Sequence, residues 1–277
     1  MSKGKNKILN DTINYLKFYN EHYNYSISEN EIPEPGKGIS LFTQDEIKEI
    51  NKSIPDVAVT KMKFKVEGVT TVKDTGGNSF QLIKEDWMDC KTLESFFNEI
   101  KNCPKCKILA ATRKQVVFGT GNPDADVVVV GEAPGADEDE QGVPFVGRAG
   151  KLLTDILKAI NFSRDEVYIC NILKCRPPGN RNPLPDEIVN CEPYLFKQLE
   201  MIKPKMILAV GTFAAQTLLK SKETLGKMRG KFHTYNGIKM MVTFHPAALL
   251  RNPGWKKPTW EDVQLFRAEY DRMINIK

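Results

Sequence analysis

GEAPGADEDEQGVPFVGRAG, residues Gly131 to Gly150, lies between two patterns that say what kind of fold it serves. Before it runs Asp126-Val127-Val128-Val129-Val130, a short apolar run of the kind a buried parallel strand shows. After it, Leu152, Leu153, Ile156, Leu157 and Ile160 recur at helical spacing. The stretch therefore reads as a long strand-to-helix loop at the carboxyl end of a strand, the place where open α/β sheets bind ligands. Its five glycines let the backbone approach a ligand closely, and Pro134 and Pro144 stiffen it around a single aromatic residue, Phe145. The plain alternative is an irregular acidic surface loop.

Downstream, the same alternation repeats. Val167–Leu173 is a second apolar strand with a polar amide, Asn171, near its carboxyl end, and such an amide needs hydrogen-bond partners. A helix follows from about Asp186 to Ile202, then a strand at Lys205–Val210 and a helix at Thr212–Leu219. A fourth strand, Lys239–Phe244, ends in His245, and a last helix runs from about Trp260 to Ile274. This order predicts a four-stranded, mainly parallel sheet with helices on both faces. The Gly131 loop, Asn171 and His245 all fall at carboxyl ends of strands, so they should converge on one crevice. Between the third and fourth strands, GKMRGK interleaves Lys227, Arg229 and Lys231 with glycines, and it reads as a flexible basic loop suited to phosphates or simply to solvent.

Upstream, Thr92 is placed to cap a helix carrying Leu93, Phe96, Phe97 and Ile100 on one face. That helix runs into Cys103-Pro104-Lys105-Cys106. On its own a C-x-x-C is compatible with a redox pair, half a zinc site or chance. Cys175 and Cys191 bring the candidate thiolates to four, enough to close one site for zinc or for an iron-sulfur cluster, and spacing does not choose between them. Cys170, inside the second strand, reads as a small core residue.

The chain of 277 residues is 41% hydrophobic, ample for a core, and has no apolar run long enough to span a membrane. Its basic N-terminus lacks the apolar segment of a secretory signal, so a cytoplasmic location is expected, and the cysteines point to metal or thiol chemistry before disulfides. Charge is uneven: residues 1–95 carry 13 Lys+Arg against 15 Asp+Glu, and residues 96–277 carry 27 against 20. The basic C-terminal part suits a polyanionic partner. Residues 1–90 read as an extension of unknown role. They hold a helix at about 6–24, a linker at 29–40 and a hairpin joining Lys61–Val66 to Val69–Val72, with no catalytic constellation.

Four separated motifs over residues 92–277 resemble those of the family 4 uracil-DNA glycosylases, the iron-sulfur branch of that superfamily. They are GE-A-PG with G-x-PFVGRAG, the upstream C-x-x-C with the two later cysteines, NILKCRPPGNR, and HPAALLRNP. The resemblance implies a uracil-DNA glycosylase-like domain over 91–277 that hydrolyses the N-glycosidic bond of deoxyuridine in DNA. It implies a 4Fe-4S cluster on Cys103, Cys106, Cys175 and Cys191. Phe145 would stack on a flipped uracil, Asn171 would read its edge and His245 would hydrogen-bond its O2. Glu132 would act on the attacking water, with Glu138 as a second candidate. Ala133 stands beside the substrate where the best-known branch of the superfamily has an aspartate, which leaves the carboxylate assignment open. Lys227 and Arg229 would meet phosphates, while Leu249, Leu250 and Arg251 would wedge into the base stack. The expected partner is uracil-containing DNA, met by a monomer with no membrane involved. Two other readings stay open: a non-catalytic metal-stabilised DNA-binding module, and a relative that crosslinks covalently to uracil-DNA.

Overall fold

The computed structural model describes residues 69–73, 79–83 and 85–275. The chain divides into two compact units, Met1–Asp89 and Cys90–Lys277. In the first, strand β1 (Val69–Lys73) pairs antiparallel with β2 (Ser79–Ile83), with Val69 opposite Ile83. β1 thus pairs with the strand that follows it, and the expected hairpin between Lys61–Val66 and Val69–Val72 rests on residues outside those described. Lys61–Val66, the helix at 6–24 and the linker at 29–40 lie outside the described residues.

The second unit is built on a six-stranded mixed sheet. Its strands are β3 (Thr120–Gly121), β4 (Val127–Gly131), β5 (Tyr168–Asn171), β6 (Met206–Val210), β7 (Phe232–Tyr235) and β8 (Ile238–Thr243). Their spatial order is β3-β5-β4-β6-β8-β7. The four predicted strands are the central ones, all parallel. The four-stranded expectation is corrected by two antiparallel edge strands, β3 against β5 and β7 against β8. Neither carries an apolar run: β3 is two residues long, and β7 (FHTY) buries only Tyr235. Edge strands half open to water need no such run, which is why periodicity passed them over.

The helices are α1 (Leu93–Ile100), α2 (Lys107–Thr112), α3 (Ala136–Gln141), α4 (Arg148–Ala159) and α5 (Pro185–Ile202). They are followed by α6 (Thr212–Leu219), α7 (Leu225–Met228), α8 (Pro246–Arg251) and α9 (Lys256–Ile274). Thr92 caps α1 as its sequence implies: its hydroxyl accepts from Ser95 N at 3.1 Å, and Ser95 Oγ accepts from Thr92 N in return.

Alternation along the central strands sorts the core into two layers. Val127, Val129, Ile169, Leu208 and Met241 face Leu153 and Leu157 of α4 and Val263 and Phe266 of α9. Val128, Val130, Ile207, Ala209 and Met240 point the other way and are as fully buried. On that second face α5 reaches the sheet through Gln198, which donates to the Tyr168 hydroxyl at 3.3 Å. With both faces covered, ligand access is left at the strand ends. Register then aligns those ends. Gly131 sits opposite Asn171 and Val210 opposite Thr243, so Glu132, Asn171 and His245 leave the sheet along one edge. No helix among the described residues is long and apolar enough to cross a membrane.

Candidate active site

At that edge lies a cleft of about 690 Å³, lined among others by Glu132, Ala133, Phe145, Asn171, His245 and Arg251. Two glycines make the arrangement possible. A Cβ on Gly131 would stand 2.4 Å from Asn171 Oδ1 and 2.6 Å from Phe145 Cζ, so only a bare backbone lets the amide and the ring meet over the end of β4. A Cβ on Gly150 would stand 1.8 Å from Phe145 O, so α4 can press against the loop only there. Phe145 itself has φ +55, a left-handed conformation rare for a bulky aromatic residue, and is 6% exposed. Strain of this kind costs about 1–3 kcal/mol and persists where surrounding structure fixes it.

Asn171 is 2% exposed, and its Oδ1 has no hydrogen-bond partner. A buried acceptor left unmade is costly, about 1–3 kcal/mol, unless a ligand supplies the donor. His245 is the N-cap of α8, and its Nδ1 accepts from Ala247 N at 3.2 Å. That bond places the ring proton on Nε2. Burial, assisted by the Arg251 guanidinium, pushes the His245 pKa down to about 4, so the ring is a neutral Nε2–H donor at pH 7. Its plane lies 5.4 Å from the Phe145 ring, centroid to centroid, tilted by 31°. Glu132 moves the other way. Burial pushes its pKa up to about 7, against the pull of Arg251. Carboxylate, imidazole and guanidinium thus share one electrostatic environment, and Arg251 tunes both titrating groups.

Glu138 is engaged elsewhere. Its Oε2 accepts from Gly135 N at 3.0 Å, and its Oε1 accepts from Val146 N at 3.0 Å and Gly147 N at 3.2 Å. Three amides hold this carboxylate as a brace across the loop and take up most of its capacity to accept from a water. Arg229, expected to meet phosphate, donates from Nε and Nη2 to the buried Asp262 at 2.9 and 2.8 Å, which neutralises its charge. Leu249 is corrected likewise: it is 1% exposed and packs inward, whereas Leu250 is 44% exposed and Arg251 is open to solvent. Lys227 is exposed at the end of the one-turn helix α7. Sequence reasoning passed over the loop residues Asn180, Arg181 and Asn182 and the Gly211–Phe213 turn after β6, all lining the cleft. The available signal was position, since Gly211 directly follows a parallel strand.

Cys103, Cys106, Cys175 and Cys191 line one shared cavity. Each sulfur has a hydrogen-bonding partner. Arg113 Nη1 lies 3.3 Å from Cys175 Sγ, Lys174 N 3.2 Å from Cys191 Sγ, Asn190 Nδ2 3.8 Å from Cys106 Sγ, and the Tyr194 hydroxyl 3.3 Å from Cys103 Sγ. Burial pushes the Cys106 thiol up to about 12, and the neighbouring Cys103 and Cys175 sulfurs add to the shift. Burial also raises Cys175 and Cys191. Such sulfurs ionise only with a positive partner, and donors aimed at them suit thiolates bound to metal. Among the described residues no three metal-binding side chains close on a single ion. Lys174 joins this cavity to the cleft: its ammonium, 1% exposed, donates to Asn171 O at 2.8 Å while its amide donates to Cys191.

A cleft at the carboxyl edge of a doubly covered parallel sheet, with a ring, an orphan amide and a neutral imidazole set side by side, defines an α/β protein that takes a flat, hydrogen-bonding ring. Residues 118–265 match the model of the Uracil DNA glycosylase superfamily, and the chain belongs to that superfamily. It is 47% identical over 181 residues to a type-4 uracil-DNA glycosylase of Saccharolobus solfataricus, covering 62% of this chain and 83% of that protein. It is 44% identical over 171 residues to a type-4 uracil-DNA glycosylase of Archaeoglobus fulgidus, covering 59% and 85%. With that of Thermotoga maritima it shares 44% over 162 residues, covering 58% and 84%.

Proposed function

We propose that this chain is a uracil-DNA glycosylase: it hydrolyses the N-glycosidic bond of deoxyuridine in DNA, releases uracil and leaves an abasic site. The observation that carries the reading is the unpartnered Asn171 Oδ1 beside Phe145 and the neutral His245. A stacked base cannot reach such a cleft, so the nucleotide must be flipped out of the helix. Phe145 then stacks on the uracil face. Asn171 accepts from N3–H and donates to O4, a pattern that cytosine, with its N4 amine and unprotonated N3, reverses. As the bond breaks, negative charge grows on the leaving base, and His245 Nε2–H donates to its O2. Because the proton already resides there and the ring is neutral, this donor gains most in the transition state.

Glu132 acts as its carboxylate, positioning the attacking water and facing the cationic sugar. Ala133 adds only a small side chain beside it, leaving the water to Glu132. Leu250 and Arg251 enter the gap left by the flipped nucleotide, and Lys227 meets phosphate. Cys103, Cys106, Cys175 and Cys191 would hold a 4Fe-4S cluster, which would supply a structural crosslink between the α1–α2 segment, the loop after β5 and α5. Strand ends and loops of one chain complete the site, so the reading is of a monomer acting on uracil-containing DNA in the cytoplasm.

The test is release of free uracil from uracil-containing oligonucleotides, single- and double-stranded, followed by chromatography of the base. Free uracil with a matching abasic product is expected. Binding without release would indicate a non-catalytic module, and a heat-stable protein–DNA adduct would indicate a crosslinking relative.

A further inference from the structure

HPAALLRNPGWKKPTW, residues 245–260, holds more than the three side chains assigned above, His245, Leu250 and Arg251. It contains no acidic residue, and Arg251, Lys256 and Lys257, which flank Trp255 in sequence, are all exposed. Trp255 lines the cleft and is 42% exposed, unusual for the largest aromatic side chain. Its other face is held. It stacks on Phe244 with ring centroids 4.7 Å apart and planes 19° from parallel. The Arg229 guanidinium lies 5.4 Å from the centre of that same Phe244 ring and is itself fixed by the buried Asp262. The backbone is equally restrained: Trp255 N donates to Asn252 O at 3.0 Å, and Trp255 O accepts from Thr259 Oγ1 at 2.8 Å. Asp262, Arg229, Phe244 and Trp255 thus form one column anchored in the core, with its last flat face open at the cleft rim.

The geometry points to Trp255 as a stacking platform for a nucleobase adjacent to the flipped nucleotide. This inference rests on the proposed uracil excision and adds to it a second base-binding subsite. A flat aromatic face followed in sequence by two exposed lysines matches the chemistry of a single nucleotide, with the base on the ring and its phosphates on Lys256 and Lys257. Flipping one nucleotide unstacks its neighbour, and a preordered indole restores the lost stacking without first losing rotamer freedom of its own. The column also gives Arg229 its role: its charge is spent on Asp262, and its plane supports the stack.

Base–aromatic stacking of this kind corresponds to about a 5- to 150-fold change in affinity. The experiment measures binding and single-turnover uracil release for the parent, Trp255→Ala and Trp255→Phe. Three oligonucleotides carry the same uracil: one complete, one lacking the 5′-neighbouring base and one lacking the 3′-neighbouring base. Trp255→Ala should weaken binding to the complete oligonucleotide within that range, with its rate at saturating protein within about 2-fold of the parent, because the platform acts on binding and not on the bond broken. Trp255→Phe should recover most of the affinity. On one of the two base-lacking oligonucleotides, parent and Trp255→Ala should bind equally. An undiminished Trp255→Ala penalty on both of them overturns the subsite while leaving uracil excision standing. Failure of the parent to release uracil from any of the three overturns the functional reading, and this inference with it.

Discussion

The thiol cavity and the cleft are joined through the segment that follows β5, and both are built from buried polar groups, yet they treat those groups in opposite ways. Around the four cysteines each sulfur meets a hydrogen-bonding group: N–H donors of Arg113, Lys174 and Asn190, and the Tyr194 hydroxyl. In the cleft Asn171 Oδ1 meets nothing, Glu132 is pushed toward protonation and His245 is held neutral. Satisfied polar groups are those of a scaffold, whereas a buried acceptor with its hydrogen bond unmade is that of a site that waits for a ligand. The difference sorts acidic residues in the same way. Glu138 is held by three amides, whereas Glu132 lines the cleft with its charge disfavoured, the contrast on which the proposed role of Glu132 rests. Lys174 touches both regions and connects them.

If the cysteine region is scaffold, its loss should be the most drastic change available. Cys191→Ser is expected to lower bound iron from about four per chain to less than one, with a matching fall in melting temperature. Cys170→Ala, which alters a buried strand residue outside the cavity, should leave iron unchanged. Anaerobic iron and sulfide analysis checks both, and stoichiometric zinc in iron-replete protein would contradict the assignment.

Removing a cleft group should spare fold and metal and strike the rate. His245→Ala is expected to lower single-turnover uracil release by about 10²–10³-fold, with DNA affinity nearly unchanged. Equal loss of iron would place His245 with the scaffold instead.

The two basic candidates of the GKMRGK loop should separate along the same line. Arg229→Ala leaves buried Asp262 unpaired, and chemical denaturation should show about 3–5 kcal/mol of lost stability. Lys227→Ala should leave stability alone and reduce the slope of log affinity against log salt by about one. Reversal of those two outcomes would mean that the ion pair with Asp262 opens when DNA binds.

Much of this was legible in the sequence because the physics was local. Four apolar runs separated by helical periodicity gave the parallel centre, and three polar residues at strand ends gave the cleft. Thr92 could be read as a cap from its place before an apolar helix face. What was not legible depended on partners far along the chain. Arg229 lies in a loop rich in glycine and lysine and looks free. Its partner Asp262 is 33 residues away on α9, where charge patterning gives no hint of burial. Leu249 and Leu250 are indistinguishable as letters, and only the packing of α8 turns one in and the other out. The edge strands escaped because neither needs an apolar pattern. The neutral state of His245 likewise follows from a bond to Ala247 N and from Arg251 nearby.

The central claim is that Glu132 works as a carboxylate in a cleft that disfavours its charge. Its pKa stands at about 7, so the single-turnover rate of uracil release should fall about tenfold per unit as pH drops below that value. The His245 donor should stay intact until pH nears 4. Glu132→Gln should lower the rate at pH 8 by about 10²–10⁴-fold and abolish the inflection near pH 7. The same variant should be more stable than the parent at pH 8. The parent's raised folded pKa means that stability is lost as pH climbs from the unfolded value through about 7, and a neutral amide escapes that loss. The direct measurement is therefore the pH profile of single-turnover uracil release for the parent, Glu132→Gln and Glu138→Gln. The account predicts an inflection near pH 7 that disappears only with Glu132. A Glu132→Gln profile superimposable on the parent's, with activity lost in Glu138→Gln, would contradict it and give the chemistry to the carboxylate assigned here as a brace.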